Sequence, residues 1–358
     1  MYLHILNDNK YSDKFIEFIK NNFSNSLHTF VTFSKQPKYL DRGKVEIVDI
    51  SKLSQIRWLY KKISNADKVF LHSLFRGGKS LMLFLFNRKN LSKTYWVIWG
   101  GDLYNYWLKD SHSVREKVLE RLKRKLIKNI YGIVALVQED YLFAKEKYKT
   151  KAKYYYAFYP NPVDFKMLDT FSDQKNRKEK TILIGNSAAP SNNHFEILDA
   201  LYENKLTDTK IICPLSYGSS QEYVKKVYGY GVKLFGENFI ALTEFLSAEE
   251  YAEILANVDV AIFAHRRQQA LGNILALLYL GKKVYIRSDI SSWSFFNRLG
   301  IRIFDTKNIL DGSEKDIFTF EEKIAKKNRE KVLKEFSEER CVQLWKNVFE
   351  SKLNGGDM

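Results

Sequence analysis

The sequence predicts an α/β protein built from two Rossmann-like doubly wound domains that face a central cleft. Short β-rich apolar runs alternate with helical patterns along the whole chain, and this alternation breaks once, near the middle. Repeated strand–helix alternation is typical of parallel sheets with helices on both faces. The chain of 358 residues is also long for a single hydrophobic core. We therefore expect two domains of similar size.

Strands are predicted from apolar runs rich in β-branched and aromatic residues. In the first half they are residues 2–6, 27–33, 44–48, 68–72, 94–99, 132–137 and 154–158. In the second half they are 181–184, 210–213, 232–235, 259–263, 283–286 and 301–304. Ser-x-x-Glu capping boxes at Ser113, Ser219 and Ser247 predict three helix starts, because the hydroxyl and the carboxylate then satisfy free backbone N–H groups.

The break in the pattern predicts an interdomain linker. Residues 159–162 and 169–180 are proline-bearing or polar and charged, and they show no periodicity. We expect an N-terminal domain over residues 1–160, a linker over 161–180, and a C-terminal domain over 181–358. The last helix of the chain can pack back on the N-terminal domain.

The net charge of +16 is confined to the N-terminal domain. Residues 1–160 carry 30 Lys and Arg against 14 Asp and Glu, whereas residues 161–358 carry 28 of each. A one-sided excess indicates that this domain faces an anionic partner, and nucleic acid, an acidic membrane surface and a phosphorylated lipid are the candidates.

No stretch approaches the roughly 18–20 apolar residues of a membrane span, and the amino terminus lacks the layout of a signal peptide. Cys213 and Cys341 suggest neither a disulfide framework nor a zinc site. We therefore expect a cytoplasmic protein that can associate with a membrane from outside the bilayer.

Two basic segments are candidates for the membrane or acceptor surface. Residues 75–86 combine Arg76 and Lys79 with an apolar run, and the helical pattern at 114–130 includes Arg121 and Arg124. A basic amphipathic helix can lie on an anionic membrane. The alternative is a solvated helix that packs on its own sheet.

Loops that follow strands carry the candidate binding residues, because ligands bind at the carboxyl ends of strands in open α/β sheets. After the strand at 181–184, small residues would let a ligand approach the backbone, unless this is an ordinary turn. After the strand at 259–263, two arginines precede a helix start and could hold a diphosphate, unless the loop is a solvated basic turn. The candidates are Gly185, Asn186, Ser187, His265, Arg266, Arg267, Gln268, Gln269, Gly272 and Asn273.

Two residues are candidates for a general base. Asp102 follows a strand and two glycines, and its alternative role is a helix cap. His72 ends another strand and is the second candidate. The sequence contains no Asp-x-Asp motif, no zinc-ligand spacing and no G-x-S-x-G motif, so we expect neither a metal nor another cofactor.

Four short segments resemble the bacterial dTDP-N-acetylfucosamine:lipid II N-acetylfucosaminyltransferase family, the 4-acetamido-4,6-dideoxygalactosyltransferases. They are Trp96-Val-Ile-Trp-Gly-Gly-Asp-Leu-Tyr104, Ile182-Leu-Ile-Gly-Asn-Ser187 with Ser191-Asn-Asn-His194, Pro214-Leu-Ser-Tyr217, and Arg267-Gln-Gln-Ala-Leu-Gly272. Their order and spacing agree along nearly the whole chain.

The resemblance implies a GT-B glycosyltransferase whose C-terminal domain holds the nucleotide-sugar donor, with dTDP as the expected nucleotide. It also implies an acceptor on a polyprenyl diphosphate in surface polysaccharide synthesis, which gives the basic domain a reason to face the membrane. We expect the donor diphosphate at the helix that begins near Gly272, where Arg266 or Arg267 replaces a metal.

Three alternatives remain open at this point. The first is a GT-B transferase with a different donor sugar, and the second is a nucleotide-sugar 2-epimerase of the same architecture. The third is a non-catalytic nucleic-acid-binding protein. We do not expect a nucleic-acid partner, because the 22 Tyr and 25 Phe residues fall largely in strand and core patterns.

Overall fold

The computed structural model describes residues 1–75, 77–86, 88–160, 164–171, 179–206, 208–313 and 316–353. Contacts divide the chain into two compact units. Unit 1 comprises Met1–Pro160 together with Glu338–Met358, and unit 2 comprises Asn161–Ser337.

Within the described residues, unit 1 contains a seven-stranded parallel sheet of order β3-β2-β1-β4-β5-β6-β7. Its strands are β1 Tyr2–Leu6, β2 His28–Thr32, β3 Glu46–Ile47, β4 Lys68–His72, β5 Thr94–Val97, β6 Gly132–Ala135 and β7 Lys153–Tyr156. Its first seven helices are α1 Lys10–Asn22, α2 Leu53–Asn65, α3 Gly78–Leu85, α4 Arg88–Leu91, α5 Gly101–Tyr104, α6 Val114–Asn129 and α7 Gln138–Tyr148. Every residue of β4 and β5 is buried, as expected where helices cover both faces of a parallel sheet.

Unit 2 contains, over its described part, a six-stranded parallel sheet of order β10-β9-β8-β11-β12-β13. Its strands are β8 Thr181–Ile184, β9 Lys210–Pro214, β10 Phe239–Leu242, β11 Val260–Phe263, β12 Lys283–Ile286 and β13 Phe304–Asp305. Its helices are α8 Phe165–Asp169, α9 His194–Glu203, α10 Gln221–Phe235, α11 Ala248–Ala256, α12 Leu271–Tyr279, α13 Ser291–Arg298, α14 Lys307–Leu310 and α15 Glu322–Glu335.

The last helix, α16 (Glu338–Glu350), packs within unit 1. The fully buried Trp345 donates its indole N–H to the Phe158 carbonyl at 2.8 Å. At the other end, the buried Lys68 ammonium donates to the Val348 carbonyl at 2.9 Å and to the Phe349 carbonyl at 2.7 Å. A cation at the carboxyl end of a helix satisfies carbonyls that the helix leaves unpaired. Burial also lowers the pKa of Lys68 to about 8.

Two details differ from the sequence-based expectations. The strand predicted at 232–235 is the end of α10, and the edge strand of this sheet is β10. Val227, Gly231 and Phe235 recur at helical spacing on the buried side of α10, so their pattern is helical. The helix cap predicted at Ser219 is made by Ser220, which accepts from the Tyr223 N–H.

Part of the predicted linker also folds. Residues 161–163 and 172–178 lie outside the described residues, but α8 occupies 165–169 and is capped by the Asp164 carboxylate. Phe165 stacks on Tyr279 with ring centroids 4.5 Å apart, and Leu168 is buried. The helix escaped prediction because one buried residue in a single turn leaves no periodic signal.

The two helical glycines of α10 form a matched pair for a stability test. A Cβ on Gly231 would lie 2.4 Å from the buried Phe239 ring, whereas a Cβ on Gly229 would meet nothing within 4 Å. We expect Gly231→Ala to lower the melting temperature, since overpacking costs about 1–3 kcal/mol. Gly229→Ala should raise it, by about 0.5–1 kcal/mol of helix propensity. Calorimetry of the two variants checks this, and shifts in the same direction would contradict the packing of α10 on β10.

Candidate active site

The two predicted binding loops of unit 2 lie side by side. β8 and β11 are hydrogen-bonded neighbours, although 75 residues separate Ile184 and Asp259 along the chain. The strand order reverses between them, because the chain runs from β8 to β9 and β10 on one side and returns to β11 on the other. Open α/β sheets bind ligands outside the carboxyl ends of strands at such a reversal. The loops over 185–193 and 264–270 both begin at this edge.

Asn192 links these loops from the inside. Its side chain is fully buried, and its Oδ1 accepts from the Asn186 backbone N–H at 3.1 Å and from His265 Nε2 at 2.7 Å. Its Nδ2 donates to the Ala189 carbonyl at 2.9 Å. A Cβ on Gly185, where φ is +66°, would lie 2.5 Å from Asn192 Oδ1. Gly185 is therefore required for two reasons: its backbone adopts a positive φ, and a side chain there would prevent the close approach of the Asn192 amide.

His265 acts as a neutral hydrogen-bond donor. Because the Asn186 N–H can only donate and the Ala189 carbonyl can only accept, the orientation of the Asn192 amide is fixed. His265 Nε2 must therefore carry the proton that it shares with Asn192 Oδ1. Burial, with smaller contributions from the nearby Arg267 and His194, lowers the pKa of His265 to about 3. His265 therefore stabilises the loop after β8 through its hydrogen bond to Asn192 while it is uncharged.

Gln269 makes a second bridge nearer the surface. Its Nε2 donates to Asn186 Oδ1 at 3.1 Å, and its Oε1 accepts from Ser191 Oγ at 3.0 Å. Asn186 Nδ2 in turn donates to the Tyr217 hydroxyl at 2.8 Å, which lies in the loop after β9. The predicted residues Asn186 and Gln269 thus come together and join three loops, while Ser187 lies buried beneath them.

The start of α12 offers backbone donors and charge. Ala270 precedes the helix with a φ of +58° and makes no side-chain cap, so the first N–H groups of the helix are not used by its own N-cap residue. Arg266 is exposed, and Arg267 is half-buried with its Nη1 donating to the Gln268 carbonyl at 2.9 Å. Gly272 and Asn273 lie in the first turn, where Asn273 Nδ2 donates to the Tyr251 hydroxyl at 3.0 Å. Backbone N–H groups and arginines in one place form a site suited to an anion.

In unit 1, Asp102 is buried and heavily hydrogen-bonded. Its Oδ2 accepts from the Leu74 backbone N–H at 2.8 Å and from the Trp96 indole N–H at 2.7 Å, and its Oδ1 accepts from the Trp99 N–H at 2.9 Å. Only 3% of the residue is exposed. The carboxylate therefore joins the loops that follow β4 and β5.

His72, the second candidate base, is fully buried at the end of β4. Its Nε2 lies 3.0 Å from His4 Nδ1, and its Nδ1 is hydrogen-bonded to the Tyr159 hydroxyl. Both ring nitrogens thus have protein partners. A substrate could exchange a proton with His72 only through one of those partners.

The predicted basic surface is partly present in the structure. Arg76 lies outside the described residues, whereas Lys79 and Arg121 are exposed. Arg124 instead contacts its own unit: its guanidinium lies 4.9 Å from the Trp107 ring centroid, and its Nε is 3.3 Å from the buried Glu120 carboxylate. Within the described ranges, no helix has the length and apolar character needed to cross a bilayer.

Exposed apolar side chains accompany these cations. Lys79 and Met82 are exposed on α3, Phe75 is exposed before the helix, and Phe86 at its end is 74% exposed. On α6, Val114, Lys117, Val118 and Arg121 form a similar exposed stripe. The helices are packed together, because a Cβ on Gly78 would lie 3.5 Å from the Leu119 side chain. We call these eight residues the α3–α6 surface.

Sequence reasoning did not single out Asn192, Ser191 or Tyr217 as site residues. The first two lie in the loop after β8 and the third in the loop after β9, and all three fall in the segments that carry the family resemblance. Their partners lie up to 78 residues away in the chain, so no local pattern could reveal them.

Comparison with known proteins identifies one family. Its sequence profile, described as 4-alpha-L-fucosyltransferase, glycosyl transferase group 56, matches residues 14–352.

Solved structures with the same architecture come from several bacteria. A glycosyltransferase from Rickettsia africae ESF-5 is 12% identical with a TM-score of 0.68, and the alignment covers 99% of both chains. Anabaena HepE in complex with UDP is 12% identical with a TM-score of 0.70, covering 98% of this chain and 99% of that one. Sucrose-phosphate synthase from Thermosynechococcus elongatus is 8% identical with a TM-score of 0.72, again covering 98% and 99%. These similarities confirm the predicted α/β fold of two Rossmann-like domains, the GT-B class.

Removing the Asn192 amide should destabilise unit 2. In Asn192→Ala, the Asn186 N–H and the His265 Nε2–H lose their acceptor while buried, at roughly 1–3 kcal/mol each. We expect the melting temperature to fall by roughly 5–10 °C. Asn257→Ala is the control, because Asn257 Nδ2 donates to Glu253 of its own helix end, and it should shift the temperature far less. Equal shifts in calorimetry would contradict a structural link at Asn192.

Proposed function

The chain belongs to the glycosyl transferase group 56 family, and we propose that it moves a 4-acetamido-4,6-dideoxygalactose-like sugar from a dTDP-linked donor to a polyprenyl-diphosphate-linked saccharide. The observation that carries the donor assignment is the pair of loops joined by Asn192 at the strand-order reversal of unit 2. A nucleotide-sugar fits this place, since such reversals bind nucleotides in many α/β proteins. UDP in HepE gives the same expectation by fold analogy.

The donor diphosphate would lie at the start of α12. Its charge would meet the first backbone N–H groups of the helix and the guanidinium groups of Arg266 and Arg267. As the bond to the sugar breaks, negative charge develops on the leaving nucleoside diphosphate, and donors already in place stabilise it. This arrangement would do without a metal ion.

Asp102 would act by positioning the loops of unit 1. Three N–H groups already occupy its two oxygens, so the carboxylate is engaged in holding the loops after β4 and β5 together. The Trp96 and Trp99 partners lie in the segment that resembles the family. We therefore favour His72, acting through Tyr159, for removal of the acceptor proton.

The α3–α6 surface would hold the protein on the cytoplasmic face of the inner membrane, where a lipid-linked acceptor is found. Lysine and arginine near an anionic bilayer contribute about 1 kcal/mol each. The apolar side chains among them would enter the interfacial region, as in other peripheral proteins.

Donor binding provides the test of the nucleotide site. A thermal-shift series with dTDP, UDP, GDP and their sugars should show stabilisation by the true nucleotide, including after treatment with EDTA. Arg267→Gln should weaken its affinity by about tenfold or more, because a charge-assisted contact is lost. Arg298→Gln on α13 is the matched control and should bind normally. Unchanged affinity in Arg267→Gln, or binding that requires magnesium, would refute the site as proposed. If a nucleotide-linked fucose bound in preference to the 4-acetamido sugar, the nucleotide site would stand and the proposed donor sugar would be wrong.

Membrane binding is tested by flotation with vesicles of anionic lipid. We expect the wild-type protein to float at low salt and to be released at high salt, because screening weakens the attraction of surface charges. Phe86→Glu should reduce flotation strongly, since it places a charge where an apolar ring would insert. Phe245→Glu in unit 2 is the control, because that ring is also 74% exposed. If both variants float equally well, the α3–α6 surface is not the contact.

A further inference from the structure

Three histidines of unit 1 form a continuous hydrogen-bonded chain. His28 Nδ1 lies 2.9 Å from His4 Nε2, and His4 Nδ1 lies 3.0 Å from His72 Nε2. His72 Nδ1 is then hydrogen-bonded to the Tyr159 hydroxyl. The rings are arranged head to tail, because the Nδ1 of each faces the Nε2 of the next.

The chain crosses the sheet diagonally. In the parallel register, His28 on β2 pairs with Tyr2 on β1, which lies two residues before His4. His4 in turn pairs with Phe70 on β4, which lies two residues before His72. All three imidazoles point to one face, because alternate residues of a strand share a face. The chain therefore runs from the amino-terminal end of β2 towards the carboxyl edge, where Tyr159 follows β7.

Aromatic rings of α1 and α16 cover this face. Phe15 lies 4.8 Å from the His72 ring centroid, and Phe349 lies 4.8 Å from that of His28. His4 and His72 are fully buried, and His28 is 8% exposed. Burial, reinforced by the neighbouring histidines, holds the pKa of His4 well below its usual range, and burial lowers the pKa of His28 to about 4. His4 and His28 are therefore uncharged at neutral pH.

Other titratable groups border the chain at its two ends. The amino-terminal ammonium of Met1 helps to lower the pKa of His28. This ammonium forms an ion pair with Asp67. Lys68 lies on the same face of β4, and Cys341 of α16 donates to the Phe158 carbonyl beside Tyr159. Burial, with a smaller contribution from the nearby Glu338 carboxylate, raises the pKa of the Cys341 thiol, so this thiol stays protonated at neutral pH.

A neutral imidazole donates from one nitrogen and accepts at the other, so a head-to-tail chain has two states. In one state each histidine carries its proton on Nε2, and Tyr159 donates to His72. In the other each carries it on Nδ1, and Tyr159 accepts. The chain converts between them only when a proton enters at one end and another leaves at the other.

We infer that Tyr159, His72, His4 and His28 form a proton relay that carries the proton of the acceptor hydroxyl away from the carboxyl edge of this sheet. The hydroxyl proton passes to the Tyr159 oxygen as Tyr159 gives its own to His72 Nδ1. His72 Nε2 then gives its proton to His4 Nδ1, His4 Nε2 gives its proton to His28 Nδ1, and His28 Nε2 releases one to water. Every member ends neutral, and the acceptor oxygen is left free to bond to the sugar.

The relay rests on the proposed transferase function, so its first test does not depend on activity. The protein has only six histidines, which makes selective nitrogen-15 labelling of their rings informative. At pH 7 the relay requires neutral rings at positions 4, 28 and 72 that all carry the proton on Nε2, because the transfer starts from that state. A charged ring, or a resting chain in which any of the three carries its proton on Nδ1, would overturn the relay whether or not the enzyme transfers a sugar.

The second test is kinetic. We expect His28→Ala, at the solvent end of the chain, to lower kcat by about tenfold or more with an unchanged KM for the donor, and added imidazole to restore it. A role in folding alone would not respond to imidazole. His112→Gln, which lies outside the chain and stacks on Tyr106, should retain full kcat. Full kcat in His28→Ala would overturn the relay, whereas a wild-type protein that transfers no sugar would overturn the proposed function and leave the nitrogen-15 result to decide on the chain.

Discussion

Parallel pairing of the strands is the constraint on which the site depends. It brings the carboxyl ends of all strands to one edge of each sheet, and the strand order then reverses once, between β1 and β4 in unit 1 and between β8 and β11 in unit 2. Because the two strands at each reversal are neighbours in the sheet, the loops that follow them lie side by side although they are distant in sequence. The loops of unit 2 that we propose for the donor site and the histidine-bearing strands of unit 1 both adjoin such a reversal.

At these edges the polar side chains that stabilise the loops are distinct from those free to contact a ligand. Asn192 and His265 are buried and fully engaged with other loop atoms, and Asp102 plays the same part in unit 1. Arg266 and the first N–H groups of α12 lie further out. An inner layer of this kind holds Arg266 and the α12 N–H groups in place before the ligand binds. These groups then stabilise the charge of the ligand without having to reorient first.

The sequence predicted the fold well, because strong local patterns determine it. β1, β4, β8 and β12 agree with their predicted bounds, since each is an apolar run bounded by clear turn signals. The error at 232–235 arose where β-branched and aromatic residues end a helix, so that propensity and periodicity conflict. The loops of the proposed donor site were identifiable as loops after strands. The links through Asn192, and the alignment of His4, His28 and His72, depend on strand order and register, which the sequence does not state.

Unit 1 is discontinuous along the chain, since unit 2 is inserted before α16. During synthesis, the face of the first sheet that carries the histidines therefore lacks the part of its cover that α16 supplies until the whole second unit has been made. Trp345 and Phe349 arrive last and exclude water from that face, and Lys68 has no helix end to bind before then. Unit 1 thus cannot complete its folding before unit 2 has been synthesised. A substitution in α16 would therefore destabilise the unit that contains the first residues of the chain.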